Sequence, residues 1–573
     1  TLNIEHSTSN TQHRTLNIEP STLNPQRRTL NVEHSTSNTK NRTLNIEHPV
    51  YRLAVTLHQS PPATEETLVM LAAKIILDKD FTLGEVDPRL FGGFVEHLGR
   101  CVYGGMYEPD HLSADENGFR TDVLELVREL DMPVMRYPGG NFVSGYDWEE
   151  GVGPRDQRPT RLDLAWQSTE TNQFGTDEFV QWCRKANSEP MLAVNLGTRG
   201  PEEARNLVEY CNHPGGSAWS DLRRKHGFAQ PHCVKLWCLG NEMDGPWQMG
   251  HKTAAEYGRV ACEAAKLMKW TDPSLELVVC GSSNGGMPTF AAWEAEVLEH
   301  TLDHVDYLSI HTYYGNADGD TPSFLARPEQ MSDFIDQVVA TADYVSAKRK
   351  SRKRLMLSFD EWNVWYHSHG DREKRNIRPW DSAPPLLEDA YTMEDALVVG
   401  GMLISLLNHC DRVKIGCLAQ VVNVIAAIMT QPGGPAWRQT IFHPFAHVSK
   451  HGRGTVLRQV AESSYYDCKD RAAVPHLTSA CVLDPDTGGV TLFAVNRSLD
   501  SRLKLTVDLR AFAALHVDEW TTLRHSDLLA ENTCAAPNKV QPAVATGAGV
   551  DDRVLTAVLE AASWNVIRLT PAK

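Results

Sequence analysis

No apolar run in this sequence reaches the roughly 18 residues that a membrane-spanning helix needs. The longest, from Ala396 to Leu407, has the length of a buried helix and contains Gly400 and Gly401. Basic residues are also in deficit: 56 Lys and Arg against 73 Asp and Glu leave a net charge of −17. Nucleic-acid and anionic-membrane partners need basic patches, so this balance argues against both; a neutral ligand such as a sugar is compatible with it. The twelve cysteines form no Cys-x-x-Cys pair and no Cys/His zinc spacing. Cys238, Cys280 and Cys417 lie inside apolar runs, where a thiol behaves as a small hydrophobe. A reducing, cytoplasmic setting without structural disulfides is the expectation. No secretory leader is recognisable at the start, and no motif requires a cofactor or a metal.

Residues 1–48 repeat a fourteen-residue unit: Thr1, Thr15, Thr29 and Thr43 each begin Thr-Leu-Asn-(Ile/Val)-Glu. Each unit carries only two aliphatics close together, and Pro20 and Pro25 interrupt the array, so no packed core is available. Residues 1–69 are read as a disordered extension, with Met70 as the native start.

From Lys74 the texture changes. Ala73 to Leu77 is strand-like, and residues 70–87 are read as a lead strand that packs on the C-terminal domain. Eight candidate strands follow, at 90–97, 133–138, 190–196, 234–240, 275–281, 305–311, 354–360 and 413–419. Helical patterns lie between them at 120–131, 176–187, 201–211, 253–269, 288–301, 328–347 and 391–408. Thr253-Ala-Ala-Glu256 reads as a capping box, and Pro328 suits a first helical turn. Strand and helix in alternation predict a (β/α)8 TIM barrel over 88–445. Beyond about residue 445 the helices are expected to stop. Short alternating runs such as Gly489–Val495 and Leu503–Val507 predict an antiparallel β-sandwich over 446–573.

Two strands end alike. Val234-Lys-Leu-Trp-Cys-Leu-Gly-Asn-Glu242 is apolar until Asn241 and Glu242; Arg354-Leu-Met-Leu-Ser-Phe-Asp-Glu361 is apolar until Asp360 and Glu361. Chemistry in such barrels sits at the C-terminal ends of the strands. Two carboxyl groups brought together there, one protonated and one ionised, are the minimum for hydrolysing a glycosidic bond. Asp360, one residue before Glu361 on a strand, is expected to point to the other side. Other strand ends are polar too, offering Glu96 and His97, Asn141 after Gly139-Gly140, His311 with Tyr313 and Tyr314, and Gln420. Asn241 can donate to a sugar hydroxyl, the glycines let backbone approach a ligand, and Trp148, Trp247 and Trp365 are candidate sugar faces. His367, His369 and Asp371 cluster without zinc-like spacing and are read as a solvated loop. The basic run from Lys348 to Arg354 is read as the close of a helix, where cations are favourable.

Several segments carry a resemblance: Phe91-Gly-Gly-Phe-Val-Glu-His-Leu-Gly99, Arg136-Tyr-Pro-Gly-Gly-Asn-Phe142, Trp237-Cys-Leu-Gly-Asn-Glu-Met-Asp-Gly-Pro-Trp247, His311-Thr-Tyr-Tyr-Gly315 and Asp360-Glu-Trp-Asn-Val-Trp-Tyr366. From about Lys74 onward the chain resembles the α-L-arabinofuranosidases of glycoside hydrolase family 51. The resemblance implies a retaining, exo-acting hydrolase of arabinofuranosyl oligosaccharides that works inside the cell and assembles as a homo-oligomer, commonly a hexamer. It implies Glu242 as general acid/base and Glu361 as nucleophile. Glu96, Asn141, Asn241, Tyr313 and Gln420 match residues that hold the arabinose, His311 a histidine beside the nucleophile, and Trp365 a wall of the same pocket. Residues 1–69 match nothing in the family. The same scaffold could serve a glucanase or xylosidase, because loops shape the pocket, and a carbohydrate-binding protein is the reading from another class.

Overall fold

The computed structural model describes residues 70–572. The repeat and the rest of the extension, 1–69, lie outside the described residues.

Eight parallel strands close into a barrel. They are β1 (Gly92–Phe94), β2 (Val134–Tyr137), β3 (Glu189–Ala193), β4 (Leu236–Leu239), β5 (Glu276–Cys280), β6 (Tyr307–Tyr314), β7 (Met356–Val364) and β8 (Val413–Ala419). Each pairs with its neighbours in chain order, and β8 closes on β1. Every expected strand is present, though the bounds differ. Strands β6 and β7 run on past the expected ends and carry His311, Tyr313 and Glu361 within them. Phe94, Val134, Met191, Leu236, Cys238, Val278, Tyr307, Ile415 and Cys417 belong to a core cluster of their own, contributed by seven of the eight strands. This is the small-hydrophobe role expected of those two cysteines.

Helices wrap the barrel because their apolar residues recur at helical spacing. In α1 (Thr121–Leu130), Val123, Val127 and Leu130 are buried. Helix α2 spans Thr176–Ala186 and α3 Pro201–Asn212. Helix α4 (Ala254–Thr271) starts at the expected box: Thr253 Oγ1 accepts from the Glu256 amide, and the Glu256 carboxylate accepts from the Thr253 amide. Helix α5 is Ala292–Thr301. Pro328 falls in the first turn of α6 (Arg327–Lys348), and α7 is Met393–Asn408. The basic run after α6 is spent on separate acids: Lys348 on Glu299, Arg349 on Asp303 and Arg354 on Asp411.

The expectation that helices stop near 445 is corrected. Helix α8 runs from Phe442 to His451, across that boundary. Phe442, Phe445 and Val448 share one side and pack into the barrel's main core. Pro444 sits in the first turn, where a missing amide costs nothing.

Beyond α8 the chain builds two large sheets around a separate core that includes Leu457, Leu492, Leu505 and Ile567, besides a short pairing of Tyr465–Tyr466 with Val474–Pro475. One has five strands and the other seven. Strand Leu71–Ile76 lies in the five-stranded sheet, parallel to Leu503–Asp508 and antiparallel to Val460–Ser463. The lead segment and the C-terminal run therefore fold together.

Candidate active site

Glu242 follows the end of β4 in a turn where Gly240 has φ +92° and Glu242 itself φ +44°. A glutamate in that left-handed region is costly and is held there by the surrounding structure; Gly245 N–H closes the turn on the Glu242 carbonyl at 2.8 Å. Glu361 comes from β7. Tyr313 on β6 donates its hydroxyl to Glu361 Oε1 at 2.7 Å, and Arg136 on β2 donates Nη1 to Oε2 at 3.0 Å. Trp247 donates Nε1 to Glu242 Oε2 at 2.8 Å. Ligand atoms of Glu242, His311 and Glu361 all lie within 4.8 Å of one another. That approach suits the roughly 5–5.5 Å between carboxyl groups of retaining glycosidases and falls short of the roughly 6.5–9.5 Å of inverting ones.

The expectation that Asp360 points away is overturned. Ser309 pairs with Ser358 across β6 and β7, but His311 pairs with Glu361. Two steps on one strand are matched by three on the other, which is a bulge. The extra residue breaks the alternation, and Asp360 and Glu361 both reach groups inside the barrel. Asp360 Oδ1 meets His311 Nε2 at 3.2 Å and accepts from Ser309 Oγ at 2.5 Å; its Oδ2 lies 3.5 Å from Arg136 Nε.

The electrostatics follow from this crowding. Burial alone would raise Asp360, but Arg136 and His311 hold its carboxyl below the usual range. Burial opposes charge on His311, yet Glu361, Asp360 and Glu242 more than offset it and push the imidazole up to about 10. Glu242 moves the other way: burial, aided by the negative Glu361, raises it despite the hydrogen bond from His311. One carboxyl that keeps its proton beside another paired to a guanidinium is the division of labour that glycoside hydrolysis needs. Among the described residues, only Glu242, His311 and Glu361 converge as metal ligands would. Arg136 Nη1 already lies 3.0 Å from Glu361 Oε2, so a cation there would face the guanidinium, and the donor set fits proton transfer better than metal binding. The other histidines considered are engaged elsewhere: His367 Nε2 meets Asp395 at 2.8 Å, and His369 packs edge-on against Trp365.

A cavity of about 490 Å3 opens over the pair. Glu96, Asn141, Tyr313, Trp365 and Gln420 line it with both glutamates, as does Trp247. Asn241 and His311 lie beneath. Arg136 Nη2 donates to Asn241 Oδ1 at 2.6 Å, while Asn241 Nδ2 is buried with no partner in the chain. Glu96 accepts from the Phe142 amide at 3.0 Å and exchanges contacts with Gln420. Burial, then the charge of Glu361, pushes Glu96 up to about 8.

Gly140 lines the same cavity, and one aromatic departs from expectation. The glycine pair makes room for Glu96: a Cβ on Gly140 would lie 2.3 Å from Glu96 Oε2 and one on Gly139 2.8 Å from its Cγ. Trp148 is buried against Tyr210 and Trp219 and is no sugar face. Trp166 is the aromatic that sequence reasoning missed. It sits in the turn of a hairpin, Arg161–Asp163 with Ser168–Glu170, lines the cavity and donates Nε1 to Glu96 at 2.9 Å. The hairpin is an insertion after β2, and no periodicity announces it. The one available signal was an exposed-looking Trp between short alternating runs.

Comparison with known proteins agrees with this geometry. Residues 126–327 match the family model described as alpha-L-arabinofuranosidase 1 domain, and 360–563 match the alpha-L-arabinofuranosidase C-terminal domain. An intracellular exo-alpha-(1->5)-L-arabinofuranosidase of Bacillus subtilis is 57% identical over 500 residues, which is 87% of this chain and 99% of that one. An exo-alpha-(1->6)-L-arabinofuranosidase of Bifidobacterium longum is 50% identical over 507 residues, 87% of this chain and 97% of its own. The solved structure of a family 51 alpha-L-arabinofuranosidase from Bifidobacterium longum superposes with a TM-score of 0.83 at 45% identity, covering 87% of this chain and 100% of that one. By sequence, by fold and by the carboxyl pair at its strand ends, the chain belongs to the α-L-arabinofuranosidases of glycoside hydrolase family 51.

Proposed function

We propose that this protein is a retaining exo-α-L-arabinofuranosidase that releases terminal α-L-arabinofuranose from arabino-oligosaccharides and from arabinoxylan or arabinan fragments. The observation that carries the reading is the approach of Glu242 and Glu361, within 4.8 Å at their nearest oxygens and held in different protonation environments. The Glu361 carboxylate attacks the anomeric carbon as the glycosidic C–O bond breaks, and the Glu242 proton goes to the leaving oxygen. An arabinofuranosyl ester on Glu361 results. The Glu242 carboxylate then takes a proton from water, the oxygen of which attacks the same carbon and frees Glu361. Glu96, Asn141, Asn241, Tyr313 and Gln420 hold the sugar hydroxyls, with Trp365 as a wall. The intracellular relative supports a cytoplasmic location. A homo-oligomer of hexameric order belongs to the same proposal, and sedimentation velocity tests it.

The decisive experiment is hydrolysis of 4-nitrophenyl α-L-arabinofuranoside beside the corresponding xyloside and glucoside, by wild type and Glu361→Ala. Turnover of the arabinofuranoside that is lost in the variant supports sugar and nucleophile together. Preference for another glycoside discards the sugar. No turnover of any of the three by folded protein favours a binding protein.

A further inference from the structure

Glu96 is itself held, and by one oxygen. The Phe142 amide and Trp166 Nε1 both donate to Glu96 Oε1, at 3.0 and 2.9 Å, while Oε2 is left to Gln420 Nε2 at 3.2 Å. Behind Trp166 the chain leads to a buried contact between His97 and Glu170, neither of which lines the catalytic cavity. We infer that His97 and Glu170 are a positioning pair that holds Trp166 on Glu96 and thereby sets the affinity for the terminal sugar; this rests on the activity proposed above.

The pair is built as an anchor. His97 and Glu170 are 4% and 6% exposed. His97 Nδ1 lies 2.8 Å from Glu170 Oε2, and its Nε2 lies 2.7 Å from the Tyr137 hydroxyl on β2. Burial would raise Glu170, but His97, Tyr103 and the Asn172 amide hold its carboxyl below the usual range. An ionised carboxylate only accepts, so Nδ1–H is the donor. The imidazole cannot swing, because its face stacks on the Phe142 ring with 4.7 Å between centroids. That ring belongs to the residue whose amide is the other donor to Glu96 Oε1. His97 also follows Glu96 directly in the chain, so the anchor and the group it serves sit at one end of β1.

The hairpin that carries Trp166 needs such a tie. Two paired strands of three residues hold no position by themselves. Leu162 and Leu164 are 58% and 63% exposed, so they give the hairpin little apolar packing. A cavity of about 180 Å3 has Leu164 among its walls, together with Phe142 and Met249. Polar contacts do the holding instead. The turn is tied to the segment 372–381: Arg372 donates to the Trp166 carbonyl, and the Trp380 amide donates to the Gln167 carbonyl at 2.7 Å. The base is tied to the barrel through Glu170, which accepts from His97, from the Tyr103 hydroxyl and from the Asn172 amide at 2.6 Å.

The test is a double-mutant cycle on KM and kcat for 4-nitrophenyl α-L-arabinofuranoside, combining Glu170→Gln with Trp166→Phe. Glutamine has one accepting oxygen where Glu170 uses two, and phenylalanine cannot donate to Glu96. Glu170→Gln should raise KM about tenfold, near the worth of one hydrogen bond, with kcat within about twofold of wild type. In the Trp166→Phe background the same substitution should change KM by less than about twofold, because the donor it positions is gone. His97→Gln should repeat the pattern, and His97→Asn, with its amide near the place of Nδ1, should recover most of the affinity. A wild-type KM in Glu170→Gln, or the same loss repeated in full beside Trp166→Phe, overturns the pair. A fall in kcat alone, which is what a smaller folded fraction gives, also overturns it. If Glu170→Gln does not fold, Tyr103→Phe replaces it in the cycle: it removes one contact to Glu170 and should raise KM about threefold, again only where Trp166 is present. A wild-type KM in that variant overturns the pair as well. Absence of aryl arabinofuranoside turnover in the wild type overturns the proposed activity instead, so the two failures are distinct.

Discussion

His311 reaches Glu242 with Nδ1 3.0 Å from Oε1, and its other nitrogen meets Asp360. The imidazole is therefore a charged wedge between three carboxyl groups. It favours the ionised form of Glu242, while burial and Glu361 favour the protonated form and prevail.

Removing that wedge has a sign that can be checked. In His311→Gln the lowering contribution is lost, so Glu242 holds its proton to higher pH. The alkaline limb of kcat/KM, which reports the acid in free enzyme, should move upward while the maximum falls. A pH profile on an aryl arabinofuranoside with a poor leaving group reads it. A limb that stays or moves down contradicts the role assigned to His311.

The two glutamates should respond differently to azide. Glu361→Ala should lose about four orders of magnitude or more in kcat, in keeping with removal of a covalent nucleophile, and azide should restore turnover with an inverted glycosyl azide. Glu242→Ala should suffer most on poor leaving groups and yield a glycosyl azide of retained configuration. NMR of the products assigns each role independently of rate.

Glu96 ties stability to pH. Its carboxyl ionises near 4.5 when unfolded and is pushed up to about 8 in the fold by burial and Glu361. The unfolded chain therefore loses this proton first. The contribution is full below 4.5, falls as pH rises, and is gone above about 8. Glu96→Gln removes the dependence. The Tm of wild type should fall relative to that of Glu96→Gln between pH 5 and pH 8, by scanning calorimetry; parallel curves would show that Glu96 does not titrate this way.

Arg136 is buried, stacks over Phe94, and serves Glu361, Asn241 and Asp360 together. Arg136→Met removes one of the two cations that face the buried Asp360 and Glu361 and leaves only His311 beside them, a loss of about 3–5 kcal/mol. A large drop in Tm together with loss of activity is expected, and Arg136→Lys, which keeps the charge and loses the fork, should recover only part of the stability.

The legible part of this molecule was its periodic part. Strand and helix alternation, the Thr253 cap, Pro328 and the polar ends of β4 and β7 are local signals, and they suffice for the barrel and the carboxyl pair. Helix α8 was hidden because Pro444 and three histidines mask a helix anchored by Phe442 and Phe445. The Trp166 hairpin was hidden because its reason for existing, Glu96, is distant in sequence.

What the sequence determined by itself is therefore the fold class and the residues at the strand ends, since both follow from spacing along one chain. Tertiary structure alone decided how those residues face one another. Simple alternation would turn Asp360 away from the site; one extra residue between the Ser309–Ser358 and His311–Glu361 pairs brings it inward with Glu361. The proton preferences of Glu242, His311 and Glu96 likewise depend on burial and on charges brought in from other strands, and neither is written in the local sequence.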